Sequence, residues 1–391
     1  MKLLVLSIVY PYPSVQGSSL RMAATLEALA RCHEIHLLAF SKTDLSRLSN
    51  EASQFCKEVH IVKVKRLERL LNGFFSLFSS IPISVGIWHS GEMKRKIQQV
   101  CSKTSFDAIF LFDIKMALYH PFFPHNIRTY VDLDILYSRY YQSKLTFSKG
   151  FGKIFYSLEK RRMEKYERKT IETAFACFIA SEVDRARVPE RNKKKIRILP
   201  NVIDVKSYTY HPPSLRKGKQ ILFTGRFSYA PNIDGATFFC EQIFPDVKKQ
   251  VADATFWIVG ANPTKTIREL GDGENVFVTG FVENMRDYLQ DAKVFVCPLR
   301  FGGGTRLKIL EAMAAGLPVV STTAGCEGLE VKNGVHLFIE DAPIPFAKRV
   351  AEILEDKIAC DEMCNNARAL VEQHYSRESL KIEGLTDSCK E

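Results

Sequence analysis

Apolar and amphipathic segments alternate along the first half of the chain. KLLVLSIV (2–9) and EIHLLAF (34–40) are dominated by apolar residues, as strands buried in a parallel sheet are. Between them, residues 19–32 space Leu and Ala three and four apart, which indicates a helix with one buried face. The same patterns predict strands at 60–67, 107–113, 127–134, 176–181 and 195–201, and a long basic helix at 153–174. Repeated strand–helix units predict a parallel sheet with helices on both faces.

The alternation starts again near residue 219. Strands are predicted at 219–225, 255–260, 276–280, 293–299 and 317–322, and helices at 235–250, 345–356 and 361–375. The proline-containing segment 201–218 interrupts the pattern and is interpreted as a linker. The sequence therefore predicts two doubly wound, Rossmann-like α/β domains that face a central cleft, the usual place for a ligand.

The segment LLNGFFSLFSSIPISVGIW (70–88) does not fit the alternation. It is uncharged, but two glycines, an asparagine and a proline break it, so it does not predict a membrane-spanning helix. It is interpreted as a loop and a strand, with contact at a membrane surface as the alternative. The apolar N-terminal run, which two prolines end, is interpreted as the first strand rather than a signal peptide.

The net charge of +11 is unevenly distributed. Residues 1–200 contain 33 Lys and Arg against 18 Asp and Glu, and residues 201–391 contain 22 against 26. A basic first half suits anionic lipid, phosphorylated small molecules or nucleic acid. No zinc-finger spacing or aromatic–basic RNA-binding pattern is present, so we expect no nucleic acid partner. The mixed apolar and basic segment 147–169 is either a solvated helix or a patch for an anionic membrane surface.

The ten cysteines show no paired C-x-x-C spacing. Without that spacing they predict neither a zinc site nor a disulfide framework. Reduced thiols in a cytoplasmic protein are therefore expected.

The segment FGGGTRLKILEAMAAGLPVV (301–320) carries the clearest chemistry in the chain. Gly302, Gly303 and Gly304 have no side chains, so the backbone can approach a ligand closely. Thr305 is predicted to cap the following helix, whose free N–H groups would favour an anion. The two commonest nucleotide-binding loops, G-x-G-x-x-G and G-x-x-x-x-G-K-[ST], are absent.

Lys308 and Glu311 lie three residues apart and share one face of that helix. An anion site followed by a cation and then a carboxylate suits a phosphate first and sugar hydroxyls second, because a carboxylate accepts hydrogen bonds from hydroxyls. The alternative is an ordinary capped helix with a solvated charged face.

Residues 302–329 resemble the retaining, family-4-like glycosyltransferases of the GT-B fold, also described as glycosyl transferases group 1. Four further segments resemble this family, and they occur along the chain in the order that the family shows: 11–30, 197–204, 223–235 and 278–300. The resemblance covers nearly the whole chain and is more specific in the second half.

The resemblance implies roles for individual residues. Arg226 matches the arginine that binds the donor diphosphate, and Glu311 matches the glutamate that holds the ribose. Gly280 and Val282 match the turn that meets the base through backbone groups. Gly17 matches a first-loop glycine near the donor phosphate.

The chain also departs from the family pattern. Gly303 stands where the family has a first glutamate, which contacts the donor sugar. Pro231 and Asn232 stand where a lysine is expected. We hypothesise that Lys308 or Arg306 supplies the missing charge.

The implied activity is transfer of a sugar, with retention, from a nucleotide-diphosphate sugar to a hydroxyl of a glycan or lipid-linked acceptor. Residues 1–203 would bind the acceptor, residues 204–374 the donor, and a C-terminal helix in 375–391 would cross back to the first domain. Arg226, Lys308 and the helix N-terminus would stabilise the departing diphosphate, so no metal and no other cofactor is expected. The family suggests bacterial envelope polysaccharide synthesis in the cytoplasm, on the inner face of the plasma membrane.

The motif VDLD places Asp132 and Asp134 at the end of a predicted strand. The two carboxylates are interpreted either as a strand-end turn or as groups that orient the acceptor hydroxyl or the donor sugar; a metal is disfavoured. Two other functions stay open: a sugar-nucleotide epimerase of the same fold and, because of Gly303, a non-catalytic subunit that binds a nucleotide sugar.

Overall fold

The computed structural model describes residues 1–13, 17–43, 50–302, 304 and 306–387. The chain divides into two compact units, Met1–Asn201 with Leu380–Glu391, and Val202–Ser379. Each unit contains a hydrophobic core of its own around a parallel sheet. Gly303 and Thr305 of the predicted donor loop lie outside the described residues.

The sheet of the first unit consists, in its described part, of seven parallel strands in the order β3-β2-β1-β4-β5-β6-β7. The strands are β1 (Lys2–Ser7), β2 (Glu34–Ser41), β3 (Glu58–Lys63), β4 (Ala108–Phe112), β5 (Arg128–Asp134), β6 (Ala176–Ile179) and β7 (Ile196–Ile198). The apolar runs of the sequence explain the sheet, because β1 and β4 lie at its centre and are buried on both faces.

Helices cover the faces of this sheet. They are α1 (Gly17–Ala30), α2 (Arg66–Ser76), α3 (Ile83–Gly86), α4 (Gly91–Lys103), α5 (Tyr137–Phe147), α6 (Phe151–Thr173), α7 (Glu182–Ala186) and α8 (Glu190–Lys193). None of the helices in the described part of the chain combines the length and the apolar character needed to cross a bilayer.

The second unit repeats the design with six parallel strands among its described residues, in the order β10-β9-β8-β11-β12-β13. The strands are β8 (Gln220–Thr224), β9 (Thr255–Val259), β10 (Val276–Gly280), β11 (Val294–Cys297), β12 (Val319–Ser321) and β13 (Phe338–Ile339). The helices are α9 (Ala230–Phe238), α10 (Phe244–Gln250), α11 (Lys265–Arg268), α12 (Met285–Asp291), α13 (Leu307–Ala314), α14 (Pro343–Leu354) and α15 (Asp361–His374).

The prediction of a loop and a strand over 70–88 is wrong. Most of the segment forms the second half of α2 and the short helix α3. The reason is a helical period that the glycine and asparagine obscured: Leu67, Leu70, Leu71 and Phe74 recur at spacings of three and four. Gly73 weakens a helix but does not end it.

The prediction of a helix at the C-terminus is also wrong. The last helix described is α15, which ends at His374, and the chain from Leu380 to Asp387 consists of turns that pack within the first unit. Gly384 has a φ of 77°, and the carbonyl of Glu383 accepts a hydrogen bond from Arg197 (2.7 Å). A left-handed residue and carbonyls that bond to side chains are incompatible with a continuous helix.

The expectation that all thiols are reduced fails at Cys32. Among the described residues, eight cysteines are free thiols, whereas Cys32 is disulfide-bonded. The spacing of cysteines along a sequence does not show which of them approach each other in the fold, so this bond had no local signal.

Candidate functional site

In the second unit, the strand order reverses between β8 and β11, which are neighbours although they are far apart in sequence. The loops that follow these two strands therefore diverge to opposite sides of the sheet and leave a crevice at their carboxyl ends. The segment after β8 contains Gly225 and Arg226, and the segment after β11 contains the glycine loop and α13. The fold thus brings together most of the residues predicted to bind the donor.

Lys308, in the first turn of α13, reaches toward the loop after β8. Its ammonium donates a hydrogen bond to the side-chain oxygen of Asn232 (2.8 Å) and lies 4.4 Å from the centre of the Phe223 ring. Asn232 is buried and also donates to the backbone carbonyl of Arg226 (3.0 Å). The ammonium of Lys308 therefore contacts one of the two residues that stand where the family pattern has a lysine.

The side chains of Lys308 and Glu311 are half-buried. Burial is the main cause that lowers the pKa of Lys308 to about 8; Arg306 acts in the same direction, whereas Cys297 and Glu311 oppose it. Glu311 lies one turn along α13, and burial raises the pKa of its carboxyl group, while the hydroxyl of Tyr208 and the ammonium of Lys308 oppose that rise. At neutral pH Lys308 keeps its positive charge, and its hydrogen-bond partner Asn232 is neutral.

Gly225 has no side chain and so leaves room for the contact between Lys308 and Asn232. A side-chain carbon built at Gly225 would lie 2.7 Å from the amide nitrogen of Asn232 and 2.8 Å from the ammonium of Lys308. Both distances are shorter than real side-chain carbons show, so only glycine permits the contact.

The next residue, Arg226, has an exposed side chain. Its backbone carbonyl is engaged by Asn232, whereas among the described residues its guanidinium forms no hydrogen bond or ion pair. Arg226 therefore retains all its donors for an anionic group from solution.

The side chain of Arg306, unlike that of Arg226, is buried. It donates hydrogen bonds to the backbone carbonyls of Gly304 (2.8 Å) and Ala324 (3.2 Å). Arg306 also stands at the N-cap position of α13. Thr305, predicted to cap this helix, lies outside the described residues. Gly302 and Gly304 before the helix have left-handed φ angles of 136° and 79°.

Gly280 and Val282, predicted to meet the base, follow β10 at the same edge of the sheet. Gly280 has a φ of 76°, and its carbonyl accepts a hydrogen bond from the amide of Gly260 (3.1 Å). Val282 is half-buried against the core, and Phe281 between them is exposed. The turn therefore presents backbone at the carboxyl end of β10, as the prediction requires.

The first unit also has a point of strand reversal, between β1 and β4. Near it, Asp132 is buried, and its two carboxylate oxygens accept hydrogen bonds from Arg21 of α1 at 2.7 and 2.6 Å. Arg21 also donates to the carbonyl of Leu199 (2.7 Å) and to Asn201 (3.2 Å). Asp132 is thus committed to an internal ion pair, which leaves it a positioning role.

Asp134 lies at the end of β5, where the register with β6 shifts. Its φ of 54° turns the chain, and its carboxylate lies 3.7 Å from Arg21 and remains partly exposed. Burial raises the pKa of Asp134 to about 6, Arg21 opposes that rise, and Asp132 and Asp113 add to it. Asp134 is therefore the member of the predicted pair that could exchange a proton near neutral pH.

Three further polar groups of this region had not been predicted. Asp113 follows β4 and accepts hydrogen bonds from the ammonium of Lys115 (2.7 Å) and the hydroxyl of Tyr137 (2.8 Å). Lys115 also donates to that hydroxyl. Asp113 could have been found from its place at a strand end, but Lys115 and Tyr137 have no local signal. Gly17, predicted to lie near the donor phosphate, is the first residue of α1.

The described residues contain no group of three His, Cys, Asp or Glu placed to hold a metal ion. That a metal is not required stays a prediction.

Comparisons with known proteins find similarity for part of the second unit and for the whole chain. Residues 218–356 match the model of the family described as glycosyl transferases group 1, and these residues contain the Lys308 and Arg226 region. The chain is similar, at 22% identity over 97% of each chain, to an uncharacterized 44.6 kDa protein in the cps region of Klebsiella pneumoniae. It is 24% identical, over 70% of each chain, to YtcC of Bacillus subtilis (strain 168), which is named as a glycosyltransferase.

Solved structures identify the fold. Sucrose-phosphate synthase from Thermosynechococcus elongatus is similar with a TM-score of 0.68 and 17% identity, over 97% of this chain and 96% of that chain. HepE from Anabaena in complex with UDP-glucose is similar with a TM-score of 0.64 and 16% identity, over 100% and 98%. The chain has the GT-B fold, and residues 218–356 of its second unit match the family model described as glycosyl transferases group 1.

Proposed function

We propose that this protein is a glycosyltransferase that moves a sugar from a nucleotide-diphosphate sugar to an acceptor hydroxyl with retention of configuration. One observation carries the proposal: Lys308 contacts Asn232 at the strand reversal of the domain that matches the glycosyltransferase family, with Arg226 and Glu311 beside it in the same crevice. The similar HepE structure contains UDP-glucose, which supports a nucleotide-sugar donor.

The site offers each part of such a donor a different group. The backbone after β10, at Gly280 and Val282, would meet the base, and Glu311 would accept hydrogen bonds from the ribose hydroxyls. Arg226 and Lys308 would contact the diphosphate. As the bond to the sugar breaks, negative charge develops on the departing diphosphate, and these two cations stabilise it.

The proposed acceptor domain is the first unit. Asp134, with its raised pKa and partial exposure, would orient or deprotonate the acceptor hydroxyl, while Asp132 and Arg21 hold it in place. Retention follows if the hydroxyl attacks the face of the sugar from which the diphosphate departs.

We also propose that the acceptor is a glycan or a lipid-linked glycan of the bacterial envelope and that the enzyme works in the cytoplasm at the inner face of the plasma membrane. The relative in a cps region supports the pathway, and the basic first half of the chain supports an anionic surface.

The test is incubation of the purified protein with a panel of nucleotide sugars, with and without lipid-linked acceptors, followed by mass spectrometry of the products. We expect a glycosylated acceptor and a free nucleoside diphosphate that form only together. Conversion of one nucleotide sugar into another without acceptor would instead identify an epimerase. Binding of a nucleotide sugar without turnover by any acceptor would identify a non-catalytic subunit.

A further inference from the structure

The large apolar side chains of α2 face solvent rather than the core of the first unit. Seven large apolar side chains of α2 and the turn after it are exposed, with Leu70 72% and Phe78 79% accessible to solvent; the seven are Leu67, Leu70, Leu71, Phe74, Phe75, Leu77 and Phe78. They recur at helical spacing, so they form one continuous face. Phe74 contacts both Phe75 and Phe78, with ring centres 5.9 and 5.5 Å apart.

The opposite face of α2 is held firmly against the rest of the unit. Its inward side consists of small and polar residues: Ser76 is buried against Gly86, and Gly73 packs on Ile87. Arg69 stacks 4.5 Å from the centre of the Trp88 ring. A side-chain carbon at Gly86 would lie 1.9 Å from the hydroxyl oxygen of Ser76, and one at Gly73 would lie 3.3 Å from Ile87, so the small residues let this face of α2 pack closely.

Helix α6 continues the apolar surface. Its first two turns expose Phe151 (92%), Ile154, Phe155 and Leu158, which again recur at spacings of three and four. The two helices are joined by Arg162 of α6, whose guanidinium donates to the carbonyls of Ser76 (3.3 Å) and Leu77 (2.8 Å) at the end of α2.

The charges around this surface are mainly positive. Arg66 is the first residue of α2 and follows Lys65, which pairs with Glu92 (3.0 Å); along α6 the apolar turns give way to Arg161, Lys165 and Arg168. These last three line a cavity of about 540 Å³ in the first unit, and among the described residues they form no ion pair. Apolar residues that are bordered by cations match a bilayer surface with anionic headgroups, whereas a protein partner would be expected to offer a mixed rim.

We propose that α2 and the first turns of α6 insert into the headgroup region of an anionic membrane, and that Arg161, Lys165 and Arg168 bind lipid phosphates beside them. This inference stands apart from the proposed activity, because membrane binding of this face needs neither donor nor acceptor. The main apolar contact would be made by α2, a segment for which the sequence predicted a loop and a strand.

The test is co-sedimentation of the full-length protein with vesicles of phosphatidylcholine containing about a third phosphatidylglycerol, at low and at high salt. We expect the wild-type protein to sediment with these vesicles and the double variant Phe74→Asp/Phe78→Asp to lose at least tenfold in partitioning. The matched control is Ile344→Asp, which changes an equally exposed apolar residue of the second unit and should bind as the wild type does. Pure phosphatidylcholine and high salt should each weaken binding severalfold, because both remove the attraction to the cations.

A second variant, Phe78→Trp, reports on insertion without weakening the apolar face. Its fluorescence should shift to the blue when anionic vesicles are added. Equal sedimentation of the Asp/Asp variant and the wild type would overturn the proposal, as would no shift for Phe78→Trp. A wild-type protein that ignores vesicles but dimerises in sedimentation velocity, and that Phe74→Asp/Phe78→Asp converts to a monomer, would show that a second copy covers this face instead.

Discussion

In each unit the strand order of the sheet reverses at one point, but the cations near the two points have different partners. At the reversal of the first unit, Arg21 is matched by Asp132, and Lys115 is matched by Asp113. At the reversal of the second unit, Lys308 is held by the neutral amide of Asn232 and Arg226 is exposed. A cation that is paired with a carboxylate inside the protein has a structural role. A cation without such a partner can attract an anionic ligand.

This difference explains how one topology can serve two substrates. A crevice in which two cations, Lys308 and Arg226, outnumber one carboxylate, Glu311, favours a diphosphate. A crevice in which three carboxylates outnumber two cations disfavours a diphosphate and instead provides a base for a neutral hydroxyl. The electrostatics therefore support the proposal that the donor binds the second unit and the acceptor the first.

The largest expected effect is on stability, in the first unit. Arg21→Met should lower the free energy of unfolding by about 3–5 kcal/mol, because it leaves the buried carboxylate of Asp132 without its partner. Urea denaturation monitored by circular dichroism measures the change.

The double variant Arg21→Met/Asp132→Leu is the control, and it should recover much of the loss because no buried charge remains. Lys308→Met should change the free energy of unfolding by less than about 1 kcal/mol. If Arg21→Met and Lys308→Met lowered the free energy of unfolding equally, the cations of the two crevices would not differ in their contribution to stability.

The next largest effect is on activity, in the second unit. Lys308→Met should lower the rate of transfer about a hundredfold, or about 3 kcal/mol, because the departing diphosphate loses a cation. Steady-state kinetics with a saturating acceptor measures it, with an unchanged melting temperature as evidence that the fold survives.

Lys308→Arg separates charge from packing. The pKa of Lys308 is about 8, so affinity of the wild-type enzyme for the donor should fall as the pH rises through 8, when the ammonium loses its proton. An arginine keeps its charge, so the variant should not show this fall. Identical pH profiles for the two proteins would argue against a donor contact by Lys308.

A smaller effect is expected from Gly225→Ala. The added carbon must displace Asn232 or Lys308, so kcat/KM should fall about tenfold, or about 1.4 kcal/mol, through misplacement of the cation. Gly91→Ala is the matched control because its added carbon meets no atom within 4 Å. A full rate in Gly225→Ala would mean that the position of Lys308 seen here is not the one that acts.

Much of this fold could be predicted from the sequence, because buried parallel strands read as continuous apolar runs. The crevice could be located as well, since Gly225 and the loop at 302–304 mark the ends of two such runs. The contact between Lys308 and Asn232 could only be hypothesised, because the two residues are 76 positions apart and meet through the order of the strands. Arg21 was missed for the same reason: its partner Asp132 is 111 residues away.

Helix α2 shows a different limit of the sequence. Asn72 and Gly73 obscured its helical period, and a pattern of apolar residues does not by itself reveal which face is buried. The inward face is set by close packing at Gly73 and Ser76, and neither residue signals burial on its own.

The smallest expected effect concerns Asp134 and depends on pH. Its pKa is raised to about 6 in the folded protein, so the folded state binds its proton more tightly than the unfolded state does. This contribution to stability is complete below the unfolded pKa near 4 and is lost as the pH rises through 6. Asp134→Asn should therefore raise the free energy of unfolding by about 1 kcal/mol at pH 7, a modest value because the carboxylate is partly exposed.

At pH 3 the same substitution should have almost no effect, since the wild-type side chain is then protonated in both the folded and the unfolded state. Urea denaturation at both pH values tests this, with Asp184→Asn, another carboxylate of the first unit, as the comparison. If Asp134→Asn instead lowers stability at pH 7, the attraction of Arg21 outweighs burial, and Asp134 belongs with Asp132 as a structural anion. The first unit would then have no carboxylate of this pair left to act on an acceptor, and the division of substrates between the two crevices would need a different base.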